Sequence, residues 1–484
     1  MKAQQLPDRP ERMQTGSSTE SFLDTAFARQ RAAFALNPFP GAAERRLNLD
    51  RLIRVIVKRQ DEIAAALDRD FGGRCRAEVR YSEIFVALQS LRYAKRRVKA
   101  WMEPRPVPVG VALQRANAWV MPQPLGVVGI VVPWNYPVYL TVGPLAGALA
   151  AGNRVILKLP EITPSTSSAL ARLLAECFDQ DVVSVMQGDA DTAKAFVQLP
   201  FDHLLFTGST AVGRQVMLAA AANLTPVTLE LGGKSPLLLA PDANFSSAAG
   251  SIVFGKLLNA GQTCIAPDYA LVPANRLEEF VGRLQTEIGK QYPRATENSD
   301  YTDIINEKQR SRLEQYLQEA HAAGTRVITI GAAPSGQDRK IAPTLVIDPP
   351  DYLRLMQEEI FGPILPVKPY GSLDEALAYI NARPRPLALY LYTRSSSVID
   401  EVLKRTISGG VSINDTLVHI AVEDLPFGGA GASGLGHYHG QAGFDTFSKL
   451  KSVFHRRGFA LSAALHPPYG KLHDLTMRFL IRWF

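Results

Sequence analysis

Cys264, in Asn259-Ala260-Gly261-Gln262-Thr263-Cys264-Ile265-Ala266-Pro267, is the side chain of this sequence best placed to attack a carbonyl. A thiolate is intrinsically nucleophilic, and the small flanking residues favour a bend from which both the sulfur and the Cys264 backbone N–H can reach a substrate. Upstream, Glu230 stands in Thr228-Leu229-Glu230-Leu231-Gly232-Gly233-Lys234-Ser235-Pro236. A carboxylate there can activate the water that cleaves a thioester, so the two residues make a nucleophile with a candidate base. Each has a plainer reading. A lone cysteine is most often a small buried hydrophobe, and a glutamate most often a surface carboxylate in an ion pair. The surroundings oppose both: Ala260, Gly261, Gln262 and Thr263 are poor core filler, and Glu230 lies inside a short apolar strand where an unpaired surface charge is not expected.

Four further segments frame this pair. Leu125 to Val132 is an apolar, β-branched run that reads as a buried strand, and Pro133-Trp134-Asn135-Tyr136-Pro137 stops it in a loop. Taken alone, Asn135 is equally a turn asparagine between prolines. Gly152 to Glu161 reads as a turn feeding a second strand that ends at Lys158, with Glu161 three residues on. Such strand ends are where parallel α/β sheets bind ligands, and a carboxylate there can accept hydrogen bonds from the ribose hydroxyls of NAD while repelling a 2′-phosphate. The alternative is a solvated Lys158–Glu161 ion pair. A third strand, His203 to Phe206, runs into Thr207-Gly208-Ser209-Thr210-Ala211-Val212-Gly213 and an alanine-rich helix. Glycines there allow close backbone approach, and a helix N-terminus near Ser209 offers N–H groups to a pyrophosphate, although such units are common without any ligand. Last, Gln357-Glu358-Glu359-Ile360-Phe361-Gly362-Pro363 presents Glu359 and Phe361, or simply an acidic helix end closed by Gly-Pro.

In this order the segments resemble the aldehyde dehydrogenase superfamily, over about residues 25 to 450. The resemblance implies an α/β fold with a Rossmann-like cofactor lobe, a second α/β catalytic lobe and a small β oligomerisation arm. It implies catalysis by Cys264 and Glu230, with the Asn135 amide and the Cys264 N–H forming an oxyanion hole. Lys158 and Glu161 would hold the adenosine ribose, the loop with Gly208, Ser209 and Gly213 the phosphates, and Glu359 the nicotinamide ribose, with Trp134 and Phe361 beside the ring. The segments Cys264 to Tyr269, Pro426-Phe427-Gly428-Gly429, Ser433 to Gly440 and Gly443-Phe444 look like the class three branch, which includes fatty and aromatic aldehyde dehydrogenases. Within it the chain is particularly similar to the coniferyl aldehyde dehydrogenases of bacteria. That branch implies NAD as cofactor with NADP also accepted, a homodimer, and a substrate tunnel lined by Tyr136, Tyr139, Leu140, Ile265, Leu417 and His419. The aldehyde could be benzaldehyde-like, cinnamyl or a medium-to-long aliphatic one. His419 is tempting as a base, but a lone histidine among apolar residues is more often a packed one. One departure is Ser448-Lys449, where members of the branch commonly carry Ser-His.

The 484 residues, 46 % of them hydrophobic, suffice for two or more lobes with large cores. Three widely spaced cysteines argue for a reducing compartment and a cytoplasmic location, and no Cys/His cluster has the spacing of a metal site. The charge of +7, from 53 Lys and Arg against 46 Asp and Glu, is spread along the chain and does not point to nucleic acid. Residues 1–20 read as a disordered leader, 21–104 and 127–230 as the cofactor domain, and 231–425 as the catalytic domain. Residues 105–126 and 426–450 read as the arm, and 451–484 as a C-terminal extension. Its end, Leu475 to Phe484, is apolar with interspersed arginines and too short to span a bilayer. A helix docked on the partner subunit or over the active-site mouth is favoured over a weak membrane-surface contact.

Two rival functions remain. A CoA-acylating dehydrogenase would pass the thioester to CoA and have no use for Glu230 as a water-activating base. A non-catalytic dimeric scaffold would be expected to have lost Cys264, Glu230 or Asn135, and all three are present.

Overall fold

The computed structural model describes residues 17–110, 116–331, 339–456 and 466–483. Most of the leader, residues 457–465 of the extension and Phe484 lie outside these. The first helix, Ser17–Leu36, begins inside the stretch read as disordered, and Gln30 ties it to the body by donating to the Val155 carbonyl at 2.8 Å. Helices Ala42–Phe71 and Val86–Trp101 bury apolar residues at helical spacing, including Leu49, Leu52, Ile56, Ile63 and Leu67 in the first. Gly72, at φ 74°, ends the longer helix in the left-handed conformation and turns the chain inward toward Arg74.

Among the described residues the strands form three sheets. The first has six strands in the order Gly434–Leu435, Val227–Glu230, His203–Thr207, Val127–Val131, Arg154–Lys158 and Val183–Met186, all parallel except the two-residue first one. Helices such as Tyr139–Ala151, Pro164–Cys177 and Thr210–Ala221 connect the strands. Buried on both faces, these strands are continuous apolar runs without alternation, which is why they were legible as buried strands. The order reverses between Val127–Val131 and His203–Thr207, and the loops after both strands open at that switch point.

The second sheet has seven strands, with Tyr269–Pro273 at its centre between Ile364–Tyr370 and Pro236–Leu239. Only residues 231–235 separate the end of Val227–Glu230 from the start of Pro236–Leu239. The C-terminal edge of the first sheet therefore meets the N-terminal edge of the second, and Cys264 sits on that seam in the turn leading into Tyr269–Pro273.

The third sheet is an antiparallel ribbon of Arg105–Val107, Ala116–Pro124 and Ser448–Arg456. Two boundaries drawn from the sequence change here. The ribbon runs to Arg456, past the expected end of the arm at 450. Most of 426–447 returns to the first lobe: Gly434–Leu435 joins its sheet, and helix Gly440–Thr446 packs on helix Tyr139–Ala151. Turn-rich sequence shows that a segment is not helical but not which sheet it joins.

The tail forms a helix, Lys471–Trp483, and here the reading that it covers its own active-site mouth fails. Leu472, Leu475, Phe479, Ile481 and Trp483 are all exposed, and no residue of the helix is buried within the chain. The helix is amphipathic, and none of the described residues buries its apolar stripe.

Candidate active site

A cleft of about 530 Å³ opens at the switch point and reaches the seam between the sheets. It gathers ten of the residues picked out from the sequence. Cys264, Glu230 and Asn135 stand together at its inner end, with Glu359, Phe361 and Trp134 beside them. Lys158, Glu161, Gly208 and Ser209 line its outer part.

Glu230 is the last residue of its strand and is buried, and neither carboxylate oxygen has a hydrogen-bond partner among the described residues. Burial drives its carboxyl well above the usual range, as expected of a group that must take a proton near neutrality. Burial also pushes the Cys264 thiol up to about 12, and the nearby Glu359 and Glu230 carboxyls add to this, while the Cys264 and Ile265 N–H groups at the sulfur oppose it. The resting thiol is therefore protonated, and attack requires that its proton be lost first.

The nucleophile turn is held in an unusual shape. Asn259 and Ala260 have φ of 53° and 51°, a left-handed conformation that costs non-glycine residues free energy, and Gly261 follows at φ 76°. A side chain at Gly261 would meet the Gly362 carbonyl at 2.4 Å. Gln262 pins the turn by donating to the Asn259 and Asp303 carbonyls, both at 3.0 Å, and by accepting from Ile305 N–H at 2.9 Å. The Asn135 amide donates to the Gln262 carbonyl at 3.1 Å, which ties Asn135 to the Cys264 turn.

In the outer cleft, buried Lys158 donates to the Leu159 carbonyl at 2.8 Å and to half-exposed Glu161 at 3.2 Å. Ser209 caps helix Thr210–Ala221, accepting from Val212 N–H at 3.4 Å, so that helix aims its positive end into the cleft. Glu359 is pushed up to about 8, by burial first and by Asp268 second. Lys234 holds its backbone in place, pairing with Asp268 and donating to the Leu355 and Glu358 carbonyls at 2.7 and 2.9 Å. Phe361, at φ 49°, sets its ring edge-on to Trp134 at 5.4 Å.

Several expected positions fall elsewhere. Gly213 does not border the cleft; a Cβ there would meet Leu231 at 2.6 Å, so its smallness serves helix–strand packing. Tyr136, Tyr139, Leu140, Ile265 and Leu417 are buried and line no part of this cleft. Tyr136 bonds Thr263 through the hydroxyls at 2.7 Å, and Tyr139 bonds His439 at 2.9 Å. His419 is a packed residue: its Nδ1 meets the Ser412 hydroxyl at 2.8 Å, its ring stacks on Phe427, and burial lowers it to about 4. Tyr390, which the sequence did not single out, donates to the carbonyl of Ile265, the residue after Cys264. Also unread were the buried Arg74, Glu78 and Glu83 behind the Asn135 turn; in sequence they are ordinary helix charges with no local signal.

A cysteine on a strained turn, a buried unpaired carboxylate and an amide donor thus meet in a switch-point cleft, and the aldehyde dehydrogenase family model matches residues 11–453 of this chain. The chain belongs to the aldehyde dehydrogenase family. It is 51 % identical over 461 residues to the probable coniferyl aldehyde dehydrogenase of Pseudomonas aeruginosa, covering 95 % of this chain and 96 % of the relative. The substrate-bound state of Staphylococcus aureus AldH superposes with a TM-score of 0.90 at 37 % identity, covering 95 % of this chain and 99 % of the other. A Mycobacterium tuberculosis aldehyde dehydrogenase complexed with NAD+ follows at a TM-score of 0.81 and 30 % identity, covering 91 % and 90 %. This aldehyde dehydrogenase thus shares its fold along nearly its whole length with both structures. Among the described residues no cluster of His, Cys, Asp or Glu could hold a metal ion, and no helix is long and apolar enough to cross a membrane.

Proposed function

We propose that this chain oxidises aromatic aldehydes of the cinnamyl type, coniferyl aldehyde among them, to carboxylic acids with NAD, and accepts NADP less well. The observation that carries the reading is the convergence of Cys264, Asn135 and Glu230 at one end of a cleft whose other end holds Lys158 and Glu161. The cleft residues fit a dinucleotide. Gly232 lacks the Cβ that would stand 2.0 Å from the Glu359 carboxylate, which leaves that carboxylate free to meet ribose hydroxyls, and Glu161 offers a half-exposed acceptor beside a helix N-terminus suited to phosphate. When bound, the dinucleotide supplies the acceptor for the hydride that leaves the substrate carbon.

Cys264 gives up its thiol proton to solvent and attacks the aldehyde carbon, giving a thiohemiacetal whose oxyanion meets the Asn135 amide and the Cys264 N–H. Covalent capture comes first because hydride departs readily only from an sp³ carbon bearing a negative oxygen. After oxidation a thioester remains on Cys264. Glu230 then deprotonates water, which adds to the thioester and expels the thiolate, and the acid leaves. Because the base works deprotonated and its carboxyl is raised, turnover should increase with pH as Glu230 ionises. A buried base without other partners favours hydrolysis over transfer to CoA.

The substrate reading is supported by the name of the Pseudomonas aeruginosa relative and by buried Tyr390, bonded to the Ile265 carbonyl beside Cys264. The exposed outer strand of the ribbon, with Leu450 and Phe454, supports a homodimer, and three free cysteines support a cytoplasmic setting. The test is a panel of benzaldehyde-like, cinnamyl and aliphatic aldehydes with NAD or NADP, followed by absorbance of the reduced cofactor and by product mass. Acid formed without CoA, with highest kcat/KM for cinnamyl aldehydes, is the expected result. A requirement for CoA, or a preference for aliphatic chains, would overturn the corresponding part.

A further inference from the structure

The cleft accounts for Cys264, Glu230 and the cofactor residues, but not for the buried ion pair behind them. The Arg74 and Glu83 side chains are fully buried, 3.3 Å apart. Such pairs are weak evidence for stability, since well-packed apolar residues often replace them without loss. What distinguishes this one is where its hydrogen bonds go. Arg74 Nη1 donates to the Asn135 carbonyl at 2.8 Å, while Glu83 accepts from the Val138 and Tyr139 N–H groups at 3.0 and 2.8 Å. The pair therefore grips both ends of the short turn that begins at Asn135. The Arg74 guanidinium also lies over the Tyr136 ring of that turn, 5.1 Å from its centroid.

The same framework reaches the nucleophile. Asn259, in the strained Cys264 turn, donates through its amide to the Asn135 carbonyl at 3.1 Å and to the Gln262 carbonyl at 3.3 Å. Its backbone N–H is accepted by Glu78 at 3.1 Å, and Glu78 also accepts from the Thr302 hydroxyl at 2.9 Å. One carbonyl, that of Asn135, is thus the junction between the Arg74–Glu83 pair and the Cys264 turn.

We propose that Arg74 and Glu83 are positioning residues for the chemical step: they fix the Asn135 turn against the Cys264 turn so that the two oxyanion donors keep one spacing. The inference rests on the oxyanion role given to Asn135 above. Neither side chain touches substrate, so both act through Asn135. Oxyanion stabilisation depends on donors set in advance to about an ångström, and an error of that size costs roughly a hundredfold in rate. Arg74 reaches both Glu83 and the Asn135 carbonyl through one nitrogen, Nη1, and lysine at 74 keeps the charge on a differently shaped side chain that does not set a nitrogen at that point.

The experiment is a double-mutant cycle of Arg74→Lys with Asn135→Ala, run beside Glu83→Gln. Steady-state kinetics with an aromatic aldehyde and NAD are measured together with the NAD dissociation constant, the rate of Cys264 alkylation by iodoacetamide and the unfolding midpoint. Alkylation needs a reachable thiol but no oxyanion hole, so a merely loosened structure would change it. Arg74→Lys should lower kcat about 10- to 100-fold, while KM, NAD affinity and alkylation rate stay within about threefold. In the Asn135→Ala background the same substitution should change kcat by less than about threefold. If Asn135→Ala alone leaves kcat intact, the oxyanion reading fails, and this inference with it. If Asn135→Ala lowers kcat but Arg74→Lys lowers it by the same further factor in both backgrounds, only the positioning role fails. Wild-type kcat in folded Arg74→Lys, or a parallel loss of alkylation and NAD binding, would also overturn it. Should Arg74→Lys not fold, Glu83→Gln, which keeps an acceptor for the Val138 or Tyr139 N–H, carries the same cycle with the same criteria.

Discussion

Burial acts on Cys264 and Glu230 alike, and the Glu230 carboxyl adds to the rise at the thiol. The thiol is held up at about 12 and the carboxyl well above its ordinary value, so the resting pair carries little charge. A free thiol would be largely ionised by about pH 10. Alkylation of Cys264 by iodoacetamide in the cofactor-free enzyme should instead keep rising from neutrality to beyond about pH 10 without a plateau; a plateau near about pH 8 would show that the thiol is activated at rest. At the other end of the cleft, Glu161→Gln should weaken NAD binding while leaving NADP unaffected or improved, because the change removes an ionised acceptor and a repulsion of the 2′-phosphate together. Equal loss of both cofactors, read from their steady-state constants, would rule that role out. The residues at this scale were legible where their chemistry is announced by neighbours: glycines around Cys264, strand ends before Glu230 and Glu161. Arg74, Glu78 and Glu83 were not, because their partners at Asn135, Val138, Tyr139 and Asn259 lie far along the chain, and a buried arginine looks like a surface one until the fold is known.

At the scale of elements, periodicity and termination did most of the work. The buried strand read over Leu125 to Val132 is Val127–Val131, and the strand read over His203 to Phe206 is His203–Thr207. The misreadings came where short, turn-rich stretches choose partners by tertiary contact, as with Gly434–Leu435 pairing with Val227–Glu230. The first sheet also carries a testable acid sensitivity. His203 opens its strand, is buried with its Nε2 at 2.9 Å from the Thr228 hydroxyl, and is lowered by burial from 6.5 to about 4. The unfolded chain then binds a proton that the folded chain refuses, so stability is intact above the unfolded value and is lost as pH falls toward about 4. The full effect is up to about 3 kcal/mol. His203→Asn should therefore flatten the fall in unfolding free energy between these two values relative to wild type, as measured by denaturant titrations at a series of pH values. An unchanged slope would mean that His203 does not contribute to it.

The whole molecule places a nucleophile from one sheet against a base from the other, so the seam between the lobes is the active site. The tail helix stands outside this arrangement. Its five exposed apolar side chains would each contribute roughly 1.5–3 kcal/mol on full burial, which the described residues do not provide. If this face docks on a second copy, truncation after Gly470 should leave turnover of a small aldehyde unchanged and weaken the proposed homodimer in sedimentation. An unchanged dimer accompanied by lost liposome co-sedimentation would assign it to a membrane surface instead.

The covalent route through Cys264 is tested most directly by Glu230→Gln mixed rapidly with NAD and an aromatic aldehyde. Replacing the carboxylate removes a charge that raises the thiol, so capture and oxidation persist while hydrolysis stalls. The expected result is a burst of one reduced cofactor per active site, then a slow phase, with the acyl group found by mass spectrometry on the peptide that carries Cys264. A linear trace without a burst, or an acyl group on any other residue, would contradict it.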